Sequence, residues 1–477
     1  MLSQDNNDTI AAISTPIGEG GIGIVRISGD KSLDILSKMF VPSNPVLMSG
    51  IKSHDDLKID MERKSRVLTH GKICDDKGNL IDEVLVTYMK PPTTYTGEAT
   101  VEINCHGGIV PLRKILETAL FLGARLADRG EFTKRAFLNG KLDLAQAEAV
   151  MDLISAKTDD SYHAAVNQLQ GHLSDYIRDV RLDFVDILVQ IAVNIDYPDE
   201  DIEEVIYSEL LSELNKILDS LADLSETAER GRILREGLRI AIVGKPNVGK
   251  SSLMNALLYE DRAIVTDIPG TTRDTIEEAL DIRGIPVVIT DTAGIRQTED
   301  VVEKIGVEKS KNSIMSSDLI FLILDGGRII DDEDIEIYQY IKNKNHIILI
   351  NKADLPKKNT DKEAVREKFG EKSYFIAAKS KEGIKTVENL IEDFVNSKSS
   401  NMIFRERLTV TNVRHKVLID NAISSVKDAI AATDMNQPLE IIEIDVNQAY
   451  EFLGEIIGET STGDIIDKVF ERFCLGK

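Results

Sequence analysis

Gly244-Lys245-Pro246-Asn247-Val248-Gly249-Lys250-Ser251 is the stretch that decides the fold. It follows an apolar, β-branched run, Ile240–Val243, and opens onto Ser252–Leu258, whose apolar spacing is helical. A glycine-rich turn between a strand and a helix is a phosphate loop in the context its chemistry needs. The glycines let successive backbone N–H groups turn inward around phosphates, and the following helix adds its positive end. Lys250 would reach the β- and γ-phosphates, and the Ser251 hydroxyl would coordinate Mg²⁺. A glycine turn beside a solvated lysine would not require both flanks.

Outward from this loop, further apolar runs end in polar tetrapeptides. Val287–Thr290 leads into Asp291-Thr292-Ala293-Gly294, where a carboxylate can hold a Mg²⁺-bound water and a glycine amide can meet the γ-phosphate. Ile347–Ile350 leads into Asn351-Lys352-Ala353-Asp354. An Asp there accepts two hydrogen bonds from guanine N1–H and the 2-amino group, a donor pair that adenine lacks. Tyr374–Ala377 leads into Ala377-Ala378-Lys379, the last base-side loop, with Ala where Ser is common. Each tetrapeptide alone is weak, but in this order at strand ends they specify a GTPase. Thr266, Asp267, Ile268, Pro269, Gly270, Thr271 and Thr272 form a Gly- and Pro-containing stretch between the first helix and the next strands. A threonine there, Thr271 or Thr272, can add its hydroxyl to Mg²⁺ and order with GTP as a switch. The nucleotide set therefore comprises Asn247, Val248, Gly249, Lys250, Ser251 and Ser252, with the 266–272, 291–294, 351–354 and 377–379 segments; Ser251 and Thr272 face Mg²⁺.

The residue after Gly294 is Ile295, where Ras-like enzymes carry a Gln that orients the attacking water. An aliphatic side chain cannot do that. Either hydrolysis is feeble or another group supplies the base and another charge stabilises the transition state. Asn247 offers an amide oxygen beside the phosphates for a monovalent cation, standing where an arginine finger otherwise sits. Glu303, in the acidic stretch Thr298–Glu303, could orient water if that segment folds inward; otherwise it is a solvated surface acid.

The chain has 477 residues, and at roughly 150 per domain that implies about three domains. Hydrophobic residues at 42% and charged residues at 29% are ordinary globular usage. No apolar run is long enough for a membrane span, and the N-terminus is polar and acidic, so neither a signal peptide nor a membrane anchor is expected. Cys74, Cys105 and Cys474 are too few and too dispersed for a disulfide framework and fit a reducing cytosol. With 81 acids against 57 bases, the net charge of −24 disfavours nucleic-acid binding by the whole surface, though a local basic patch or basic partner could still bring it to nucleic acid.

Three textures divide the chain. From Asp8 to about Asn139, β-type runs (Thr9–Ser14, Gly23–Ile27, Glu83–Tyr88, Thr100–Ile103) alternate with turns and helices, an α/β or α+β unit. From Leu142 to about Arg235, apolar residues recur at three and four: Leu144, Ala147, Met151 and Ile154, then Phe184, Ile187, Leu188 and Ile191. The acidic break Pro198–Glu204 separates two of these helices. From Leu238 to about Val395, strands alternate with helices, implying a mostly parallel sheet covered on both faces. Helical periodicity returns after Leu408 (Ile419, Ile423, Val426, Ile430), so the nucleotide domain is inserted into a helical domain; two separate helical domains are the alternative. Two other signals are declined. Gly18–Gly23 fits GxGxxG, but a β-type run follows it, so no helix N-terminus is available for a pyrophosphate. Cys105-His106 lacks a second ligand pair and reads as a turn before Gly107-Gly108.

Over essentially its whole length the chain resembles the MnmE (TrmE) family of tRNA modification GTPases. Beyond the GTPase motifs, the resemblance is carried by Asp8–Ala12, Gly20–Gly29, Tyr95-Thr96-Gly97-Glu98, Val101-Glu102, Gly130–Glu148 and the terminus Phe473-Cys474-Leu475-Gly476-Lys477. It implies an N-terminal tetrahydrofolate-binding and dimerisation domain (1–140), a discontinuous helical domain (141–236 and 397–477) and an inserted Ras-like GTPase domain (237–396). It implies 5-formyl-tetrahydrofolate near Arg26, Glu102, Lys141 and Lys477; as bare residues, Arg26 and Lys141 read equally as surface charges. It further implies K⁺ held by Asn247, Thr266, Ile268 and Thr271, catalysis by Glu303, and G domains that dimerise across their switches. The implied setting is a cytoplasmic homodimer working on tRNA with a flavin-dependent partner (GidA, also called MnmG) to place a carboxymethylaminomethyl-type group on the wobble uridine, with no membrane. Cys474 matches the family's cysteine and reads otherwise as a structural thiol. Glu19, where a basic residue is usual, and Ala377 are the departures. A GTPase assembly factor for ribosomal particles would be expected to carry a basic appendage, whereas Glu440–Asp445 and Glu451–Asp467 are acidic. A folate-binding protein with a merely regulatory nucleotide unit would not need the full set of guanine and phosphate motifs.

Overall fold

A computed structural model describes residues 8–43, 53–196, 207–258, 278–291, 314–356, 359–398 and 408–477. The chain divides into two compact units, Met1–Met151 with Gly454–Lys477, and Asp152–Leu453.

In the first unit, seven strands make one sheet: β1 (Ile10–Ile13), β2 (Gly20–Ser28), β3 (Phe40–Pro42), β4 (Thr69–Cys74), β5 (Leu80–Met89), β6 (Thr100–Gly107) and β7 (Arg125–Leu126). They lie in the order β3-β4-β5-β6-β2-β1-β7. The alternation that marks strands in the sequence is realised as burial: Val25, Ile27, Val84, Val86, Val101 and Ile103 all face one core, 2% exposed or less. Helices α1 (Ser32–Met39) and α3 (Ile109–Phe121) bring Ile35, Leu36, Leu112 and Ile115 to that core, and α2 (His54–Arg63) brings Leu57 and Met61. Cys105 and His106 sit within β6, not in a turn. The ladder with β2 runs on past Ile24↔Asn104 to Gly23↔Cys105 and, after a register shift, Gly20↔Gly107, and the Cys105 side chain is buried as a small apolar group. Burial pushes the Cys105 thiol up to about 11, so it is an inert core group.

The C-terminal tail is part of this unit. The residues after α16 (Gly463–Phe470) pack back on the unit: the amide of Phe132, in α4 (Glu131–Leu138), donates to Lys477 O (3.2 Å), and the Ser14 hydroxyl donates to Gly476 O (3.1 Å). Gly130 makes the approach possible: its φ is +66°, and a Cβ there would lie 2.8 Å from Phe470 O and from the Phe473 side chain. Beside it lies an ion cluster centred on the buried Arg135. Arg135 (2% exposed) donates to Asp8 at 2.5 Å, Glu131 at 2.9 Å and Glu98 at 3.2 Å, and Arg125 donates to Glu131 and Asp8, each at 2.6 Å. Burial works to raise the Glu131 and Asp8 carboxyls, but the two guanidinium groups outweigh it and hold both below the usual carboxylate range.

In the second unit, six strands are ordered β13-β12-β11-β8-β10-β9: β8 (Leu238–Val243), β9 (Glu278–Ile282), β10 (Ile285–Asp291), β11 (Leu319–Asp325), β12 (His346–Asn351) and β13 (Ser373–Phe375). All pairs are parallel except β9–β10. The central strand β11 is buried at every position, the continuous apolar run of a strand covered on both faces. Strand β13 stops at Phe375, two residues before the expected end, because the chain leaves the ladder to build a loop closed by the Ala377–Glu382 bridge.

The helices α6 (Asp159–Leu169), α7 (His172–Asp196), α8 (Tyr207–Glu226) and α9 (Ala228–Glu236) precede the sheet, and α14 (Val413–Asp434) follows it. The two sides meet: Thr411 donates to Gln168 (3.1 Å), the Val410 amide donates to the Thr227 hydroxyl (3.1 Å), and Ser225 donates to Asp420 (2.9 Å). Phe184, Ile187 and Ile191 are buried as their spacing predicts, whereas Ile154 is 48% exposed. The acidic break at 198–204 lies outside the described residues.

Candidate functional site

The phosphate loop leaves β8 at Val243 and enters α10 (Lys250–Leu258). Its turns need unusual backbone: Gly244 at φ +145°, Asn247 at +62° and Gly249 at +104°. A Cβ on Gly249 would lie 2.0 Å from Asn351 Nδ2, and one on Gly244 2.5 Å from Ile323 O. These two glycines let the loop press against β11 and the end of β12. Val248 is buried at 1%, while Asn247, Ser251 and Ser252 are exposed, the serines on the first turn of α10. That turn carries the positive end of the helix dipole and its unpaired N–H groups. Lys250 Nζ donates to Gly244 O (2.7 Å) and Lys245 O (2.8 Å), so its ammonium lies across the loop.

The base-side segments join this loop through Asn351, which is 3% exposed. Its Nδ2 donates to Val248 O (2.8 Å) and its Oδ1 accepts from the Ala378 amide (3.0 Å). Both polar atoms thus brace one loop against another. The Ala353 amide donates to Ile376 O (3.0 Å), and Asp354 stands exposed beyond it. Lys352 donates to Asp325 at 2.6 Å. Burial works to raise the Asp325 carboxyl, but Lys352 and the Gly327 amide hold it below the usual range. In the last loop the Ala377 amide donates to Glu382 O (2.9 Å), so two of its three amides are engaged within the protein. Lys379 is exposed.

Strand β10 delivers Asp291 to the same end of the sheet, next to β8. Thr266, Asp267, Ile268, Pro269, Gly270, Thr271, Thr272, Thr292, Ala293, Gly294 and Glu303, and the Asp291 side chain, lie outside the described residues. The structure adds residues that the motif reading passed over. Lys245, 6% exposed, donates to Asp331 (2.6 Å) and Asp334 (2.9 Å) at the start of α11 (Asp332–Ile341). The signal available was Asp-x-x-Asp ahead of an apolar helix, a capping-box spacing.

In the other unit, Arg26 and Glu102 are direct partners across β2 and β6, and the guanidinium meets the carboxylate at 2.8 and 2.9 Å. The Arg26 guanidinium also lies 5.6 Å from the Phe132 ring centroid and 5.8 Å from that of Tyr95, whose hydroxyl is 2.9 Å from the Thr133 hydroxyl. Lys477 belongs with them: burial, then the positive charge of Arg26, holds its ammonium below the usual lysine value, against the opposing pull of Cys474 and Glu102. Lys141 is tied elsewhere, its Nζ donating to Pro92 O (3.2 Å).

A mostly parallel sheet with a glycine loop after β8 and an Asn-Lys-x-Asp loop after β12 defines a phosphate-loop GTPase with a Ras-like G domain. The flanking regions say which kind. Residues 9–141 match the family model described as the GTP-binding protein TrmE N-terminus, and residues 144–474 match the MnmE helical domain. The chain belongs to the MnmE (TrmE) family. It is 49% identical over 471 residues to the tRNA modification GTPase MnmE of Clostridioides difficile (strain 630), covering 99% of each chain. It is 50% identical over 473 residues to the protein of that name from Alkaliphilus metalliredigens (strain QYMF), again with 99% of each covered. Among solved structures, Aquifex aeolicus Era bound to GDP.AlF4- is 27% identical, with a TM-score of 0.27, over 39% of this chain and 66% of that one. Among the described residues, no helix is long and apolar enough to cross a membrane.

Proposed function

We propose that this chain hydrolyses GTP to drive modification of tRNA. In that reading it works as a cytoplasmic homodimer with a flavin-dependent partner (GidA/MnmG) to place a carboxymethylaminomethyl-type group at C5 of the wobble uridine. The observation that carries the reading is the brace from Asn351 to both the glycine loop and Ala378, which ties the proposed phosphate-binding and guanine-reading segments together at the carboxyl ends of the parallel strands. The domain boundaries expected from sequence, 1–140, 141–236 with 397–477, and 237–396, are part of this proposal. Mass-spectrometric profiling of tRNA nucleosides from cells lacking the protein is expected to lose the modified wobble uridine. An unaltered profile would rule the reading out.

The groups around Arg26 fit a folate. Two cations, Arg26 and Lys477, suit a carboxylate-bearing tail, Glu102 suits the N–H edge of a pterin, and the Tyr95 and Phe132 rings supply flat apolar surface. Arg26, Glu102 and Lys477 would hold 5-formyl-tetrahydrofolate; Lys141, the fourth residue the resemblance implies, would have to leave Pro92 O to join them. Bound there, it would supply the one-carbon unit. The residues themselves bind and orient: the Arg26–Glu102 pair fixes both side chains before a ligand arrives, lowering the ordering cost of binding.

In the nucleotide site, Ser251 and Thr272 would hold Mg²⁺. K⁺ would be held by Asn247, Thr266, Ile268 and Thr271. The exposed, left-handed Asn247 supports this, since its side chain is not consumed in the core. An arginine finger accelerates turnover by about 10³ to 10⁵. A K⁺ ion in that place is therefore expected to raise the GTPase rate at least ~tenfold over equal Na⁺. Equal steady-state rates in the two salts would remove the cation role of Asn247.

A further inference from the structure

Lys245 is the second residue of the phosphate loop, yet its ammonium does not face the place where phosphates would lie. It is buried and held by two carboxylates, Asp331 at 2.6 Å and Asp334 at 2.9 Å. Those carboxylates are themselves fixed. The Asp331 side chain caps α11 by accepting from the Glu333 and Asp334 amides (3.2 and 3.3 Å), and the Asp334 side chain accepts back from the Asp331 amide (3.3 Å). The capping box is therefore a rigid anchor, and Lys245 is moored to it by two charge-assisted hydrogen bonds. On its other side, the main-chain carbonyl of Lys245 accepts from Lys250 Nζ at 2.8 Å. A continuous chain of contacts runs from the start of α11, through the Lys245 side chain, to the carbonyl that aims the phosphate-binding ammonium of Lys250.

We propose that Lys245 is a positioning residue for phosphate transfer, a clamp that anchors the phosphate loop to the cap of α11 and thereby sets Lys250. This rests on the reading of 244–251 as the GTP phosphate loop. The clamp has a second effect. Asp331 and Asp334, within a run of four consecutive acids (331–334), meet the loop through Lys245, and without it their charge would repel a triphosphate. Lys245 supplies the opposing charge at the two members nearest the loop. Burial works against its charge, but the hydrogen bonds it donates to Asp331 and Asp334 raise its ammonium above the usual value, so it is a fixed cation.

The test compares steady-state GTP turnover by full-length Lys245→Met, Lys245→Arg and Asp334→Asn with the unaltered chain, alongside thermal melting. Lys245→Met is expected to lower kcat about tenfold with a smaller change in KM, because Lys250 acts most strongly on charge that develops in the transition state. Lys245→Arg, which keeps the charge and two donors, is expected to recover kcat to within about threefold. Asp334→Asn keeps an acceptor but takes the charge from one of the two anchors and is expected to cost about threefold, and it reads the same clamp if Lys245→Met does not fold. Unchanged kcat in Lys245→Met with a lowered melting temperature would overturn the proposal, leaving Lys245 a structural ion pair. Full kcat in Asp334→Asn, or equal losses in Lys245→Arg and Lys245→Met, would overturn it too. Absence of GTP turnover in the unaltered chain would sink the GTP-site reading and the clamp together.

Discussion

Asp354→Asn is expected to exchange the protein's preference from guanine to xanthine nucleotides. Guanine presents two donors, N1–H and the 2-amino group, to an ionised carboxylate that can only accept. An Asn amide in the same place offers one acceptor and one NH₂, so one guanine donor would face another donor. Xanthine has a carbonyl where guanine has its amine, and that pairing restores both bonds. A site built to hydrogen-bond a polar group can discriminate by about 10⁴ to 10⁵ when that group is absent. Asp354 is exposed, so water competes and an exchange of about 10² to 10³ in the ratio of kcat/KM for GTP and XTP is the expected size. The substitution should leave the loops standing. The brace is made by Asn351, the Ala353 amide and Lys352, none of which depends on the Asp354 carboxylate. Unchanged GTP binding in Asp354→Asn would refute the base-recognition assignment, and loss of both nucleotides would point to collapse of the loop.

Asn351 marks where sequence reading stops. Its position after an apolar strand is legible because strand-end loops of a parallel sheet carry ligand contacts. That both of its polar atoms are engaged within the protein is a matter of distance between segments 103 residues apart, which no local pattern encodes. The same division holds throughout. Strands β8, β10, β11 and β12 were visible as continuous apolar runs, since both sheet faces are covered and burial leaves little alternation. The short strands β3 and β7 were not, because three or two residues give no period to detect. Ile154 fits the 3.6-residue pattern yet is largely exposed: periodicity tells which face a residue shares, not whether another element covers it. Arg135 was legible only as part of a family resemblance. Its burial among Asp8, Glu98 and Glu131 depends on partners brought from 127, 37 and 4 residues away. Lys245 was passed over for a related reason. The motif chemistry assigns a role to Lys250 alone, and the acids that claim Lys245 begin 86 residues on, at Asp331.

Glu303→Gln is expected to abolish most GTP hydrolysis while leaving binding nearly intact. The Ile295 side chain has neither donor nor acceptor where a water-orienting amide is needed. Some other group must align the attacking water, and Glu303 is the proposed carboxylate in the stretch that follows, which lies outside the described residues. A positioned carboxylate accepts a hydrogen bond from the water and gathers its proton as charge moves to the phosphate. Gln preserves the length and shape but cannot accept a proton. General-base contributions of about 10² to 10⁴ set the scale of the loss in kcat. Because the carboxylate acts mainly in the transition state, the affinity for a non-hydrolysable GTP analogue should change by less than about threefold. Single-turnover hydrolysis in K⁺ separates this from a binding defect. A solvated surface glutamate would give the opposite pattern, with turnover in Glu303→Gln equal to that of the unaltered chain. The two cases also differ in their response to K⁺. If Glu303 aligns water and K⁺ offsets developing charge, the variant should bind K⁺ and nucleotide normally yet gain little rate from the cation. The loss relative to the unaltered protein should then be larger in K⁺ than in Na⁺.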